Sequence, residues 1–200
     1  MDWLDEQGLA ALYDRPGAAA TGKVADRVTP EYREWIDRAR FCVLSTVGPG
    51  GTDGSPRGDD GPVLRVLDDR HLALPDWRGN DRVDSLKNIL ADPRVSLLTM
   101  VRGARNVIRV NGRARLTADA GLCTSFARRD LRPRCVIVVA VDEVYFQCAR
   151  SVLRSGLWSG QDDSAGLPTP GRILAALTDG AVGGADYDAA WPARAAESMW

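Results

Sequence analysis

Between residues 41 and 141 the apolar residues arrive in six short runs, none longer than seven residues, each closed by polar or turn-forming residues. The runs are Phe41–Val47, Val63–Leu67, His71–Leu74, Val95–Val101, Val107–Asn111 and Val136–Val141. Runs this short, rich in Val, Leu and Ile and bounded by Gly, Pro and Asp, predict strands rather than buried helices. Gly48-Pro49-Gly50-Gly51 ends the first run, and Asp68-Asp69-Arg70 is a tight connection between the second and third. Helical periods between the strands are few: Leu86–Leu90 after Asp84, and Leu122–Arg129. Many short strands without alternating helices point to an antiparallel barrel or sandwich rather than βαβ units.

The flanks have a different character. Residues 1–40 read as a helical arm. Leu4, Leu9, Ala11 and Leu12 recur at helical spacing before Arg15-Pro16-Gly17. A second helix is predicted from Thr29 as N-cap and Pro30 at the first position, with Tyr32, Trp35, Ile36 and Ala39 on one face. Both are expected to pack against the main domain, 41–150. Residues 151–200 form a C-terminal extension, polar over 161–170, with a short helix at Ile173–Leu177 and a Gly/Ala/Asp-rich stretch at 181–190. It is expected to lie on the barrel or on a partner subunit.

Composition excludes several function classes. The 26 basic residues balance 27 acidic ones, which argues against a generally basic nucleic-acid binder. Of the 26, 24 are Arg and only Lys23 and Lys87 are Lys, so an isolated Arg carries little information. The balance is uneven along the chain: 102–134 holds nine Arg against Asp119 and Asp130, and 161–200 holds six acidic residues against Arg172 and Arg194. A polyanion could use that cationic middle, but Phe126 is the only aromatic residue interleaved in it, and a phosphorylated cofactor would use it equally well. His71 is the only histidine, so no metal site is expected and any catalytic triad would have to use it. Cys42, Cys135 and Cys148 sit in apolar runs and are expected to be small buried hydrophobes. The acidic opening Met1-Asp2-Trp3-Leu4-Asp5-Glu6 lacks the basic start of a secretory leader, and no apolar run reaches the ~18 residues of a membrane span. Reduced thiols with no targeting segment give an expectation of a cytoplasmic protein that binds no membrane.

Three polar segments stand out from what strands and turns require. Ser55-Pro56-Arg57-Gly58-Asp59 is read as a loop in which Gly58 allows close backbone approach and Arg57 offers a fork of donors; a salt bridge to a neighbouring Asp is the competing reading. Leu74-Pro75-Asp76-Trp77-Arg78-Gly79-Asn80-Asp81-Arg82-Val83-Asp84-Ser85 is a strand end, a loop and a helix start, where unpaired backbone N–H groups favour an anion beside Asn80, Arg82 and Ser85. In Ile108-Arg109-Val110-Asn111-Gly112-Arg113, strand alternation sets Arg109 and Asn111 on the face opposite Ile108 and Val110. Neither a phosphate-binding Walker loop nor a dinucleotide fingerprint is present.

In order and spacing these segments, with F-C-V-L-S-T before them and Arg154-Ser155-Gly156-Leu157-Trp158 after, resemble the pyridoxamine 5′-phosphate oxidase-like FMN-binding split barrels, and within them the probable FMN-dependent oxidases. The resemblance covers roughly residues 30 to 160. It implies a mainly β (α+β) fold, a six-stranded antiparallel split β-barrel with peripheral helices, that pairs as a homodimer with FMN at the subunit interface. Arg57, Asn80, Arg82 and Ser85 would hold the FMN phosphate, and Leu74, Pro75 and Asp76 would run beside the ring system. Arg109 and Asn111 would approach across the interface, and Arg154 with Trp158 would close the cleft from the partner. Arg65, on a strand facing the proposed cleft, and Arg109 are the candidates for orienting an anionic small-molecule substrate. No side chain is assigned a catalytic acid–base role, because the flavin performs the chemistry. The sequence departs from the family in two places: Asp60-Gly61-Pro62-Val63 rearranges the usual turn after S-P-R-G-D, and Gln147 stands where relatives tend to carry a His before the Cys. Gln cannot supply a proton near neutral pH. The C-terminal Arg/His motif that binds substrate in true pyridoxamine phosphate oxidases is not visible. The function implied is an FMN-dependent oxidase or reductase; the alternative is a flavin, deazaflavin or haem protein that binds or senses without turnover.

Overall fold

The computed structural model describes residues 1–199. Seven strands, β1 (Phe41–Gly48), β2 (Gly51–Gly58), β3 (Arg65–Val66), β4 (His71–Asp76), β5 (Arg94–Met100), β6 (Val107–Thr117) and β7 (Cys135–Gln147), form one antiparallel sheet in the order β2-β1-β5-β6-β7-β4-β3. The sheet is a split barrel: its two ends, β2 and β3, are not paired to each other. Six strands are expected from the apolar runs, and the seventh is β2. Thr52-Asp53-Gly54-Ser55-Pro56-Arg57 has no apolar alternation, yet it pairs with β1 along its whole length, from Phe41 opposite Gly58 to Gly48 opposite Gly51. An edge strand needs backbone partners on one side only, so it tolerates Pro56 and carries no core face. The Ser55–Asp59 segment is therefore mostly strand, not loop.

β6 and β7 run well beyond the apolar stretches that reveal them, pairing from Val107–Gln147 to Thr117–Val136 with a register shift at Asn111/Gly112. At that bulge a Cβ on Gly112 would lie 2.2 Å from the carbonyl oxygen of Ala140. Only glycine allows the two backbones this approach. Inward residues Cys42, Leu44, Leu72, Leu97, Val110, Ile137 and Val139 are fully buried and make one core.

Helices close the barrel from outside. α3 (Pro30–Ile36) starts at Thr29, whose hydroxyl accepts from the amide of Tyr32, and buries Ile36 in the core. α4 (Asp84–Ala91) lies on β1, where Asn88 Nδ2 donates to the hydroxyl of Thr46. α5 (Ala120–Ser125) packs Cys123 against Ala73 and Val136. The expectation that the whole arm packs is corrected for its first part. α1 (Glu6–Leu12) and α2 (Ala18–Gly22) bury no residue, and Trp3, Leu4, Leu9 and Leu12 are exposed. Contact begins near Ala25, which bridges to Val144, and Val28. In the extension, α6 (Arg150–Ser155) follows β7 directly. α7 (Pro170–Leu177), α8 (Ala185–Ala189) and α9 (Trp191–Ser198) contact chiefly one another. No helix among the described residues is long and apolar enough to cross a membrane.

The cysteine expectation is also corrected. Cys42 and Cys123 are buried, Cys135 is half-buried, and Cys148 is exposed because β7 ends at Gln147 and leaves it outside the sheet. All four are free thiols.

Candidate functional site

A cleft of about 550 Å³ lies at the split of the barrel. One wall is the edge strand β2, through Ser55 to Gly58. The facing wall is the end of β4, through Leu74 to Asp76, and the loop 77–83 leads from it into α4. Arg57 and Asp76 join the two walls: Arg57 Nη1 lies 2.5 Å from Asp76 Oδ1, with both side chains less than one-fifth exposed. Arg57 Nε also donates to the hydroxyl of Ser55. The competing salt-bridge reading of Arg57 thus holds in this state, and it clamps the strand ends on the two sides of the split.

Six of the residues named from the sequence meet in this cleft: Arg57, Leu74, Pro75, Asp76, Asn80 and Arg82. Asn80 Oδ1 accepts from the amide of Arg82, and the Arg82 guanidinium is paired with Asp84. Ser85 does not line the cleft; it is buried at the first turn of α4, where its hydroxyl donates to Asp53 of β2. Trp77, Arg78, Arg134 and Cys135 also line the cleft and are not among the residues read from the sequence. Trp77 and Arg78 sit inside the L-P-D-W-R-G-N segment itself. Arg134 arrives from the far side of α5 and pairs with Asp81, an approach that no local pattern announces.

Arg109 and Asn111 lie on β6 away from this cleft, hydrogen-bonded to the hydroxyl of Tyr145 and to Glu143 on β7. Arg154, at the end of α6, donates to the carbonyl of Arg150, and Trp158 Nε1 donates to the carbonyl of Ala104. None of these four lines the cleft of its own chain. Arg65 faces a second, smaller cavity of about 290 Å³, its guanidinium 3.7 Å from the centre of the Phe126 ring. His71 is at the start of β4, bonded through Nδ1 to Asp68, and is not a cleft residue. No cluster that could hold a metal ion occurs among the described residues.

The lining suits a phosphorylated planar ligand. Four guanidinium groups, Arg57, Arg78, Arg82 and Arg134, line one space with Val63, Leu74, Pro75, Val83 and Leu86. A phosphate monoester needs several charge-assisted donors, and a ring system needs an apolar slot. Three of the guanidinium groups already hold carboxylates, so an incoming phosphate exchanges one anionic partner for another rather than filling a bare cationic site. Among thiols, Cys135 has its pKa pushed up by burial and by the nearby Asp76 carboxylate, which keeps it protonated at neutral pH.

No curated protein matches the chain in sequence. Among solved structures it is similar to HupZ of Group A Streptococcus, at 16% identity over 60% of this chain and 94% of that one, with a TM-score of 0.49. It is also similar to General Stress Protein 26 of Bacillus anthracis str. Sterne, at 22% identity over 56% of this chain and 88% of that one, with a TM-score of 0.45. A third is a FAD-binding protein of Mesorhizobium loti, at 18% identity over 62% and 94% of the two chains, with a TM-score of 0.42. A family model described as pyridoxamine 5′-phosphate oxidase matches residues 28–148, which span the barrel, the cleft and the helix that leads into it; the chain belongs to that family.

Proposed function

We propose that the chain is an FMN-binding flavoprotein acting as an oxidase or reductase on a small organic substrate. The observation that carries this is the cleft at the barrel split, where Arg57 of β2, Leu74–Asp76 of β4 and the Asn80–Arg82 loop converge from two distant stretches of chain. FMN, when bound there, supplies hydride transfer. The chain's own residues bind and orient it. Arg57, Asn80 and Arg82, with Ser85 once it turns from Asp53, hold the phosphate, while Leu74 and Pro75 give the ring an apolar wall. Arg65, beside the cleft, orients the substrate's anionic group.

Homodimer formation is part of the same reading. Arg109, Asn111, Arg154 and Trp158 do not reach the cleft of their own chain, which is what residues completing a partner's cleft require. A cytoplasmic location belongs to it as well, in keeping with four unpaired thiols.

Absorbance of the purified protein and FMN titration of the apoprotein test the reading. Stoichiometric flavin, released on denaturation, is the expected result; a colourless protein that takes up no FMN overturns it. The Arg57→Ala/Arg82→Ala double variant should lose on the order of 3 kcal/mol or more of FMN affinity, since charge-assisted bonds contribute about 1.5–3 kcal/mol each. Unchanged affinity would refute the phosphate assignment. Turnover with a panel of donors and acceptors separates an enzyme from a protein that only binds flavin.

A further inference from the structure

Trp77 stands where three cavities meet: the 550 Å³ cleft, the 290 Å³ cavity beside it, and one of about 420 Å³ that Ser198 and Met199 also line. Asp59 borders the same three. The indole Nε1 donates to Asp59 Oδ2 at 3.2 Å, and Asp59 Oδ1 accepts from Arg128 Nη2 at 2.7 Å and from the amide of Gly61 at 3.2 Å. The Asp59 side chain is only 3% exposed. A buried carboxylate with both oxygens engaged cannot follow a moving ring, so it holds the indole in one orientation.

The wall of the 290 Å³ cavity carries two carboxylates, Asp37 and Asp59, and two guanidinium groups, Arg65 and Arg128, but the pairing among them is uneven. Arg128 on its wall is paired with Asp59 and Asp60, and Asp37 is paired with Arg33. Arg65 is held by the hydroxyl and carbonyl of Ser125 and stacked on Phe126. Among the described residues it has no carboxylate within ion-pair distance. Its Nη1 and Nη2 each spend one N–H on Ser125, and the remaining N–H groups of the guanidinium can donate to a ligand carboxylate. Arg65 occupies one face of Phe126, which leaves Trp77 as the other large aromatic wall. The volume is at the lower end of the ~300–1,000 Å³ usual for small-molecule pockets.

We propose that Trp77, oriented by Asp59, is the specificity-determining residue of this second cavity. It restricts the cavity to a single-ring aromatic carboxylate whose anion sits at Arg65 and whose ring lies toward the cleft. The role of that ligand as substrate rests on the flavin reading above; the size restriction does not. Calorimetric titration of the full chain, with and without FMN, using benzoate and 2-naphthoate as probes, tests it. Wild-type protein should prefer benzoate by about tenfold or more, the scale on which a pocket discriminates by size. Trp77→Ala should bring the two probes within about twofold of each other or invert the order, Trp77→Phe should keep the preference, and Arg65→Ala should abolish both. Asp59→Asn should narrow the preference and shift the Trp77 emission, obtained by difference from the Asp59→Asn/Trp77→Phe pair.

Equal binding of the probes by wild type, binding of neither, or an unchanged ratio in Trp77→Ala overturns the proposal. Failure of FMN to bind while the probe ratio behaves as stated overturns the flavin reading and leaves the size restriction standing.

Discussion

Leu97 on β5 and Leu12 on α1 are the same residue, each with apolar neighbours in sequence, yet one is fully buried and the other 64% exposed. The five inner strands each find two neighbours, and their inward side chains fall into one core. α1, α7 and α9, with Trp3 just ahead of α1, carry apolar residues that this chain leaves uncovered: Trp3, Leu9, Ile173, Leu177 and Trp191 are all exposed. A helical period reports which residues would share a face; burial requires a surface to receive that face.

The thiols offer the sharpest way to break this contrast. Cys42, inside the barrel, is pushed up to about 12 by burial. Cys148, exposed just past β7, is pulled below the usual thiol range, first by the amide of Arg150 and then by the charges of Arg150, Lys23 and Arg154. At pH 8 a thiol of pKa about 12 is ionised in roughly one molecule in ten thousand, so native-state alkylation followed by peptide mapping should modify Cys148 orders of magnitude faster than Cys42. Comparable rates would mean that the barrel opens readily. Next in size, Leu97→Ala should cost about 2–5 kcal/mol in denaturant unfolding, because it leaves a cavity in the core. Gly112→Ala should cost about 1–3 kcal/mol, since its Cβ meets the Ala140 carbonyl and the β6–β7 backbones must part. Smallest of all, Leu12→Ala should change stability by less than about 0.5 kcal/mol in the isolated chain. A larger loss there would show that α1 is packed after all, against a second copy or another part of the fold.

The same contrast explains what could be read in advance. β1, β4 and β5 announce themselves because their inward residues are large and apolar, and Thr29-Pro30 marks the start of α3 by a capping rule that acts locally. β2 stays hidden because an edge strand outside the core needs no apolar residue. The far half of β6 stays hidden because its buried positions, Gly112 and Ala114, are small and alternate with exposed Arg113 and Arg115, Gly112 being required by the approach of β7. Within the cleft, Leu74–Asp76, Asn80 and Arg82 lie on one continuous segment and are legible together. That Arg57 joins them is a consequence of the barrel's split. Trp77 gives no signal until the Asp59 carboxylate that orients it is seen, and Arg134 none until α5 has been folded over.

Placing Arg57 on the last strand of the sheet has a dynamic consequence. β2 has no buried residue, its backbone pairs with β1 alone, and its side chains are tied to the rest of the fold through Arg57–Asp76 and Asp53–Ser85. β2 can therefore peel from β1 while the inner strands stay paired, and each such opening removes Arg57 from the cleft. On the proposed reading of the cleft, ligand binding and closure of β2 are one equilibrium. In amide hydrogen exchange the β2 amides bonded to β1 should be among the least protected of the sheet in the free protein. They should gain protection in proportion to ligand occupancy, while those of β5 and β6 stay unchanged.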